Sequence, residues 1–324
     1  MPTALSYPGL RCVLEFLTPM KRLVTFILYS CLDLRYRIPI VSRNYSLRTI
    51  DKTIPLIIEK FEINKNCLNL NDYVIYNYSD GLGFTNGRGK CFERIYPSNL
   101  KPEEAMKKLL NSYLGVRSKI YVKCFFFNRE IPEFVTPNFI LQINELRCCF
   151  KYIDGFLPII DSSSFPLKTL STAICELTNL NHPVLTSAQE LIVLYGFDGL
   201  TQLIKHNNTN KRVTFEKYNF RPVDLLVLIE NWMKNGKEIG TTFKFHDYED
   251  NHYMHFLLRE LKEFKIESDH HSQVTPILRV PIDAFAEIHV SQDNENYIVV
   301  EVVSSKNEID ATEVQGSSKK ERKS

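Results

Sequence analysis

Six short apolar segments recur along the chain at nearly even spacing. One apolar residue in each marks the period: Cys124, Leu146, Leu170, Leu191, Val213 and Phe243, separated by 22, 24, 21, 22 and 30 residues. Most follow an apolar-x-x-apolar-x-apolar pattern, as in Tyr121/Cys124/Phe126, Ile143/Leu146/Cys148 and Ala188/Leu191/Val193. At Leu167/Leu170 the third place is Thr172, and Val213/Phe215 and Phe243/Phe245 lack the first. Short runs of this kind predict half-buried strands. Between several of them lie helical faces. Ala105/Met106, Leu109/Leu110 and Tyr113/Leu114 form one face between Pro102, a good first helical residue, and Gly115, a good cap. Leu200/Leu203/Ile204, Leu225/Leu228/Ile229/Trp232 between Pro222 and Gly236, and Leu257/Leu261/Phe264 predict three more helices.

Strand then helix, repeated, predicts adjacent parallel strands. A period of about 20–29 residues is that of a leucine-rich-repeat-like array. The fold expected is therefore α/β: a short helical N-terminus, then an irregular leucine-rich-repeat-like array of strands and helices, with an antiparallel C-terminal cap. The cap is the pair Ala286–Ser291 and Tyr297–Val303, joined by the polar turn Gln292–Asn296, after an earlier strand over Val274–Ile282.

Residues ahead of the array read differently. Leu10, Val13, Leu14 and Leu17 make an i, i+3, i+4, i+7 face that ends at Thr18-Pro19, and Leu23–Leu32 forms a second apolar stretch. Leu34–Arg48 is basic and irregular, a connector. Ile54–Ile63, Cys67–Leu70 and Tyr73–Tyr78 predict strands, and four glycines between Asp80 and Lys90 predict a flexible loop or boundary. The expected organisation is 1–50 helical segment with connector, 51–96 strand-rich linker region with a Gly-rich loop, 97–304 the array, and 305–324 a disordered tail.

Composition narrows the function classes. Among 324 residues, 40 basic against 38 acidic give a net charge of +2, which does not favour nucleic acid as a partner. The longest apolar-leaning run is far short of the ~20 residues that span a bilayer, so no membrane partner is expected. The eight cysteines contain no C-x-x-C pair and several lie in apolar runs, as expected of free thiols in a reducing compartment. Three tripeptides fit the glycosylation pattern, at Asn44, Asn77 and Asn207, but no secretory signal accompanies them. The expected location is the cytoplasm; the basic cluster Lys319–Lys323 is a weak indication of nuclear import.

Candidate chemistry is sparse. The segment ending Gly89-Lys90 lacks P-loop spacing, and Cys91 stands where the hydroxyl is needed. His246, Asp247, His252 and His255 are the densest group of metal-ligand types, yet they lack the organisation of a zinc site and fit a polar loop. No G-x-S-x-G elbow is present, and Ser162–Ser164 reads as turn material. Trp232 falls on a buried helix side, with core packing the default and a binding hot spot the alternative.

Several segments together resemble a known group. Leu5-Ser6-Tyr7-Pro8-Gly9-Leu10, continued by Val13-Leu14-Glu15-Phe16-Leu17 and by Ser46–Leu56, looks like a degenerate F-box start. Pro158–Lys168, His182-Pro183-Val184, Asn210–Val213 and Ile229–Trp232 with Ile239-Gly240-Thr241 are similar to the F-box-associated region of lineage-expanded nematode proteins. The resemblance implies a Skp1-binding helical end and a region that captures a target for ubiquitin ligation. Leu10, Val13, Leu14, Leu17 and Pro19 would make the Skp1-like adaptor contact. The same five residues serve equally well as a helix packed on the first repeat.

The expectation is a non-catalytic protein-interaction protein, an F-box-like substrate-recognition adaptor for a Skp1-cullin ubiquitin ligase, with no cofactor and no metal. The alternatives are a stand-alone repeat-type binding protein without Skp1 contact, and a metal-dependent enzyme centred on His246, His252 and His255.

Overall fold

A computed structural model describes residues 53–305, apart from 54, 72, 87–90, 97–99, 116, 118, 137, 175–177, 195–198, 206–208, 217–220, 248–251 and 268–276. The expected N-terminal helices, with Leu10, Val13, Leu14, Leu17 and Pro19, lie outside the described residues, as do Gly89-Lys90 and the tail beyond 305. The fold is mixed α/β, a large sheet with several helices. The chain divides into two compact units, Met1–Thr172 and Ala173–Ser324.

In the first unit five strands form an antiparallel meander: β1 (Leu56–Asn64), β2 (Cys67–Leu70), β3 (Tyr73–Asn77), β4 (Gly81–Asn86) and β5 (Cys91–Ile95). The glycine-rich segment expected to be a loop is thus a strand over its first six residues. Gly83 pairs with Tyr76, and a Cβ on it would lie 2.5 Å from Cε2 of Tyr78, so the ring occupies the space a side chain would need. After the meander come α1 (Pro102–Tyr113), β6 (Ile120–Phe127), β7 (Leu141–Cys148), the one-turn α2 (Ile153–Phe156) and β8 (Thr169–Thr172). β1 pairs in parallel with β6, β6 with β7, and β7 with β8.

The three long parallel strands share one irregularity. In each, strict alternation of buried residues breaks at two successive unburied positions: Glu59/Lys60, Lys123/Cys124 and Asn144/Glu145. A period of two cannot produce an x-x gap, so the break acts as a bulge at one level of the sheet. In β1 the amides at the break find a partner: Asn71, left-handed at φ +56°, accepts from Glu59 N at 2.9 Å and Lys60 N at 3.0 Å through Oδ1. The buried triads that result are Ile58/Phe61/Ile63, Val122/Phe125/Phe127 and Ile143/Leu146/Cys148. This corrects the register read from the sequence in β6. Tyr121, Cys124 and Phe126 face the open side, and Val122, Phe125 and Phe127 face the core.

In the second unit α3 (Pro183–Ser187), β9 (Glu190–Val193), α4 (Gly199–Lys205), β10 (Arg212–Phe215), α5 (Pro222–Asn235) and β11 (Thr242–His246) alternate, followed by α6 (His252–Glu260). β9, β10 and β11 are parallel, with Leu191, Val213 and Phe243 side by side. α5 begins where the Asp224 carboxylate accepts from the Arg221 backbone N–H at 2.8 Å, and it ends at Gly236 with φ +72°. Its face of Leu225, Leu228, Ile229 and Trp232 is buried, and Trp232 meets Phe243 edge-on at 5.1 Å. Trp232 is therefore a core residue.

The antiparallel end is larger than the expected hairpin. β15 (Tyr297–Ser304) pairs with β11 and with β14 (Ala286–Gln292), β14 with β13 (Ile277–Pro281), and β13 with β12 (Lys265–Glu267).

Candidate functional site

Burying one side of the strands leaves the alternate residues of each unit on an open face, which is mostly polar and charged in the second unit and mixed in the first, where Tyr121, Cys124 and Phe126 lie among charged residues. In the second unit Ile192, Thr214, Lys244 and Val299 form one row across four strands, and Arg212, Thr242, Glu301, His289 and Arg279 form another. Neighbouring residues in a row stand about 4.5–5.5 Å apart. Glu287 joins the second row, accepting from His289 Nε2 at 2.6 Å and from Arg279 at 3.4 Å. A shallow depression of about 330 Å³ lies over β9–β11, lined by Ile192, Arg212, Thr214, Lys244, Glu295 and Tyr297 among others.

The turn beside this depression is organised by Asp293. Its Oδ1 accepts from Glu295 N at 3.0 Å and Tyr297 N at 2.9 Å, and its Oδ2 accepts from Lys244 Nζ at 3.2 Å. Burial works to raise its pKa, but these hydrogen bonds and the Lys244 charge outweigh it and hold the carboxyl below the usual range. Such a group adds stability above its unfolded pKa of about 3.9 and loses it as pH falls through the lower folded value. Stability should therefore decline below about pH 4, and Asp293→Asn should flatten that decline. Thermal unfolding followed from neutral to acid pH reads this directly; identical acid slopes in both proteins would refute the assignment.

In the first unit a wider cleft of about 700 Å³ opens at the carboxyl ends of β1, β6 and β7. Lys65, Arg129, Glu103, Glu130, Cys149 and Tyr152 are among its lining residues. The carboxyl ends of parallel strands are where open α/β sheets commonly place ligands. The charges here are of both signs.

Five cysteines among the described residues are free thiols: Cys148 is buried, Cys67, Cys124 and Cys149 are half-buried, and Cys91 is exposed. Burial pushes the Cys148 thiol up to about 12, and burial also raises Cys67 and Cys124, the latter helped by Glu145. A thiol raised in this way stays protonated at neutral pH and is a poor nucleophile.

Of the histidine group the structure describes the side chains of His246, Asp247 and His255, and that of His252 lies outside the described ones. His246 ends β11 with its ring edge-on to Tyr297 at 4.9 Å, and His255 is exposed on α6. Asp247 is buried, its backbone N–H donating to Asn296 O at 2.7 Å. Among the described residues no group of three or more His, Cys, Asp or Glu side chains is placed to hold a metal ion. No helix among them is long and apolar enough to cross a membrane.

Sequence reasoning missed a structural residue that acts like a site. Asn210, only 2% exposed, takes the place three residues before Val213 where other repeats carry Leu167 or Ala188. Its Nδ2 donates to Leu185 O at 2.9 Å and Ala188 O at 3.1 Å, tying β10 to the turn that closes α3. A lone polar residue in an apolar column was the available signal.

Residues 101–247, from α1 to the end of β11, match a protein family described as "Domain of unknown function (DUF3557)". No curated protein and no solved structure matches the chain.

Proposed function

We propose that the chain is a non-catalytic protein-interaction protein, an irregular leucine-rich-repeat-like array that serves as an F-box-like substrate-recognition adaptor for a Skp1-cullin ubiquitin ligase. The observation that carries the reading is the recurrence of in-register parallel strands that bury one set of side chains and turn the rest to the other face. Most of them bury an i, i+3, i+5 column, and β11 buries strictly alternate residues. Leu146 stands beside Leu170, and Leu191 beside Val213 and Phe243. An array of this kind supplies an extended surface of exchangeable side chains on a fixed backbone, which suits capture of another protein. The adaptor role rests on the F-box-like resemblance of the N-terminal segment, where Leu10, Val13, Leu14, Leu17 and Pro19 would meet Skp1.

The test is co-expression of the full chain with Skp1, followed by size-exclusion chromatography. Co-elution is expected for the native chain, with loss of roughly tenfold or more in affinity on changing Leu14 and Leu17 to Asp, since a charge on a buried apolar contact goes unpaired. Absence of a complex with the native chain would refute the adaptor role and leave a stand-alone repeat-type binding protein.

A further inference from the structure

The meander of the first unit ends in an open edge. β5 pairs with β4 alone among the described strands and closes the strand order on that side. Tyr96 N donates to Asp80 O at 2.8 Å, one step beyond the pair Gly81/Ile95, so Asp80 and Tyr96 form a hydrogen-bonded pair. Such pairs alternate along an antiparallel ladder, which makes Leu82/Arg94 and Phe84/Phe92 bonded and Gly81/Ile95 and Gly83/Glu93 not. The N–H and C=O groups of Glu93 and Ile95 therefore point away from β4, and no described main-chain group meets them. Groups left in this way at the edge of a sheet are a template for one more strand.

The side chains at the same two positions are open as well. Ile95 is 79% exposed, and Glu93 is exposed beside it, two residues back on the same face. Their cross-strand neighbours in β4 are Gly81 and Gly83, which have no side chain to lay over them. Glu93 makes no ion pair among the described residues. In β1, by contrast, Glu59 meets Lys123 at 3.6 Å and Glu62 meets Lys60 at 4.0 Å.

A second copy of the chain does not match this edge. Two β5 strands paired about a two-fold axis keep the faces of the sheet, so only residues of equal parity stand opposite one another. Glu93 then meets Glu93 or Ile95 of the second copy and never Arg94, and its carboxylate gains no cation.

We infer that the β5 edge takes an extended segment of a partner protein as an added antiparallel strand, with Lys or Arg opposite Glu93 and Leu, Ile or Val opposite Ile95. Antiparallel pairing puts the aliphatic residue two places before the basic one, so the pattern recognised is aliphatic-x-basic. Main-chain hydrogen bonds supply affinity, and the carboxylate and the isoleucine select sequence and register. The inference rests on the reading of the chain as a protein-interaction protein and adds a contact separate from the one proposed for Skp1.

The experiment pans a displayed random dodecamer library on the immobilised full chain and measures the selected peptides by fluorescence anisotropy. Enriched peptides should carry the aliphatic-x-basic pattern. Methylating the backbone nitrogen of the basic residue should lower affinity about tenfold, because that N–H donates to Glu93 O. Methylating the residue between the two should change little, since its N–H points away from β5. Glu93→Lys should weaken the selected peptides about three- to tenfold, and panning on that variant should enrich an acidic residue at the same place. Glu93 is exposed, so circular dichroism of the variant should match the native chain. No enrichment, enriched peptides without the pattern, equal losses on methylating either residue, or affinity indifferent to Glu93→Lys would each overturn the inference. Skp1 co-elution is scored independently, so the adaptor reading stands or falls on its own measurement.

Discussion

Phe127→Ala is expected to destabilise the first unit by about 3–5 kcal/mol, the range for emptying a packed aromatic site. The ring is fully buried, stacked on Phe156 with centroids 3.7 Å apart, and tilted against Phe125 at 5.5 Å. Phe125 in turn stacks on Phe61 at 5.6 Å and meets Phe156 edge-on at 5.9 Å. The cluster therefore joins β1, β6 and the helical turn after β7, and its members hold one another too tightly to collapse into the space left by one ring. Against a total stability of about 5–15 kcal/mol, the loss is a large fraction. Phe126→Ala supplies the control, because that ring lies on the open face with the Arg147 guanidinium 5.8 Å from its centroid. It should cost about 1 kcal/mol or less, the scale of a cation–π contact and partial burial. Urea unfolding of the two variants measures the difference. Equal costs would mean that the strand sits one residue out of register, with Tyr121, Cys124 and Phe126 in the core.

That one-residue question marks the limit of what the pattern reveals. Leu146 pairs with Leu170, and Val213 pairs with both Leu191 and Phe243, because in those strands the positions alternate to these are polar apart from Ile192. In Ile120–Phe127 both sets are apolar, Tyr121/Cys124/Phe126 and Val122/Phe125/Phe127, so periodicity alone cannot choose the face. The match of β1 to this array was illegible for another reason. Phe61 lies beside Phe125 in the sheet, but a four-strand excursion and a helix separate them in the chain, so no repeat period connects them. Four glycines near position 83 suggested a loop, whereas Gly83 sits in a strand because the Tyr78 ring lies where its side chain would be. The helices were legible because their apolar faces fall between Pro and Gly punctuation, as in Pro222–Gly236. The open-face residues carried no motif at all. Their grouping depends on which strands neighbour one another, which only the fold supplies.

Asn210→Leu should cost about 1–3 kcal/mol even though it keeps the number of side-chain heavy atoms, the scale of a buried carbonyl that loses its side-chain donor. The carbonyls are Leu185 O and Ala188 O, both held by Asn210 Nδ2. An apolar residue at this place is compatible with the fold elsewhere: Leu167 and Ala188 occupy the equivalent positions before Leu170 and Leu191 and are buried. What distinguishes the Asn210 site is the turn at the end of α3, where Leu185 O meets only a long 3.4 Å bond from the Ala188 backbone N–H besides Asn210. The aspartate variant separates hydrogen bonding from packing. Asn210→Asp has the same shape but, when ionised, puts an acceptor oxygen in the place of Nδ2 facing the two carbonyls, so burial and repulsion raise its folded pKa above the unfolded value of about 3.9. Its penalty is then greatest above the folded pKa and shrinks as pH falls, because the protonated acid regains one donor. Asn210→Leu should show no such dependence. Denaturant unfolding at neutral and mildly acidic pH would decide the matter, and a leucine variant as stable as the native chain would show that the two hydrogen bonds are not what holds β10 to the preceding turn.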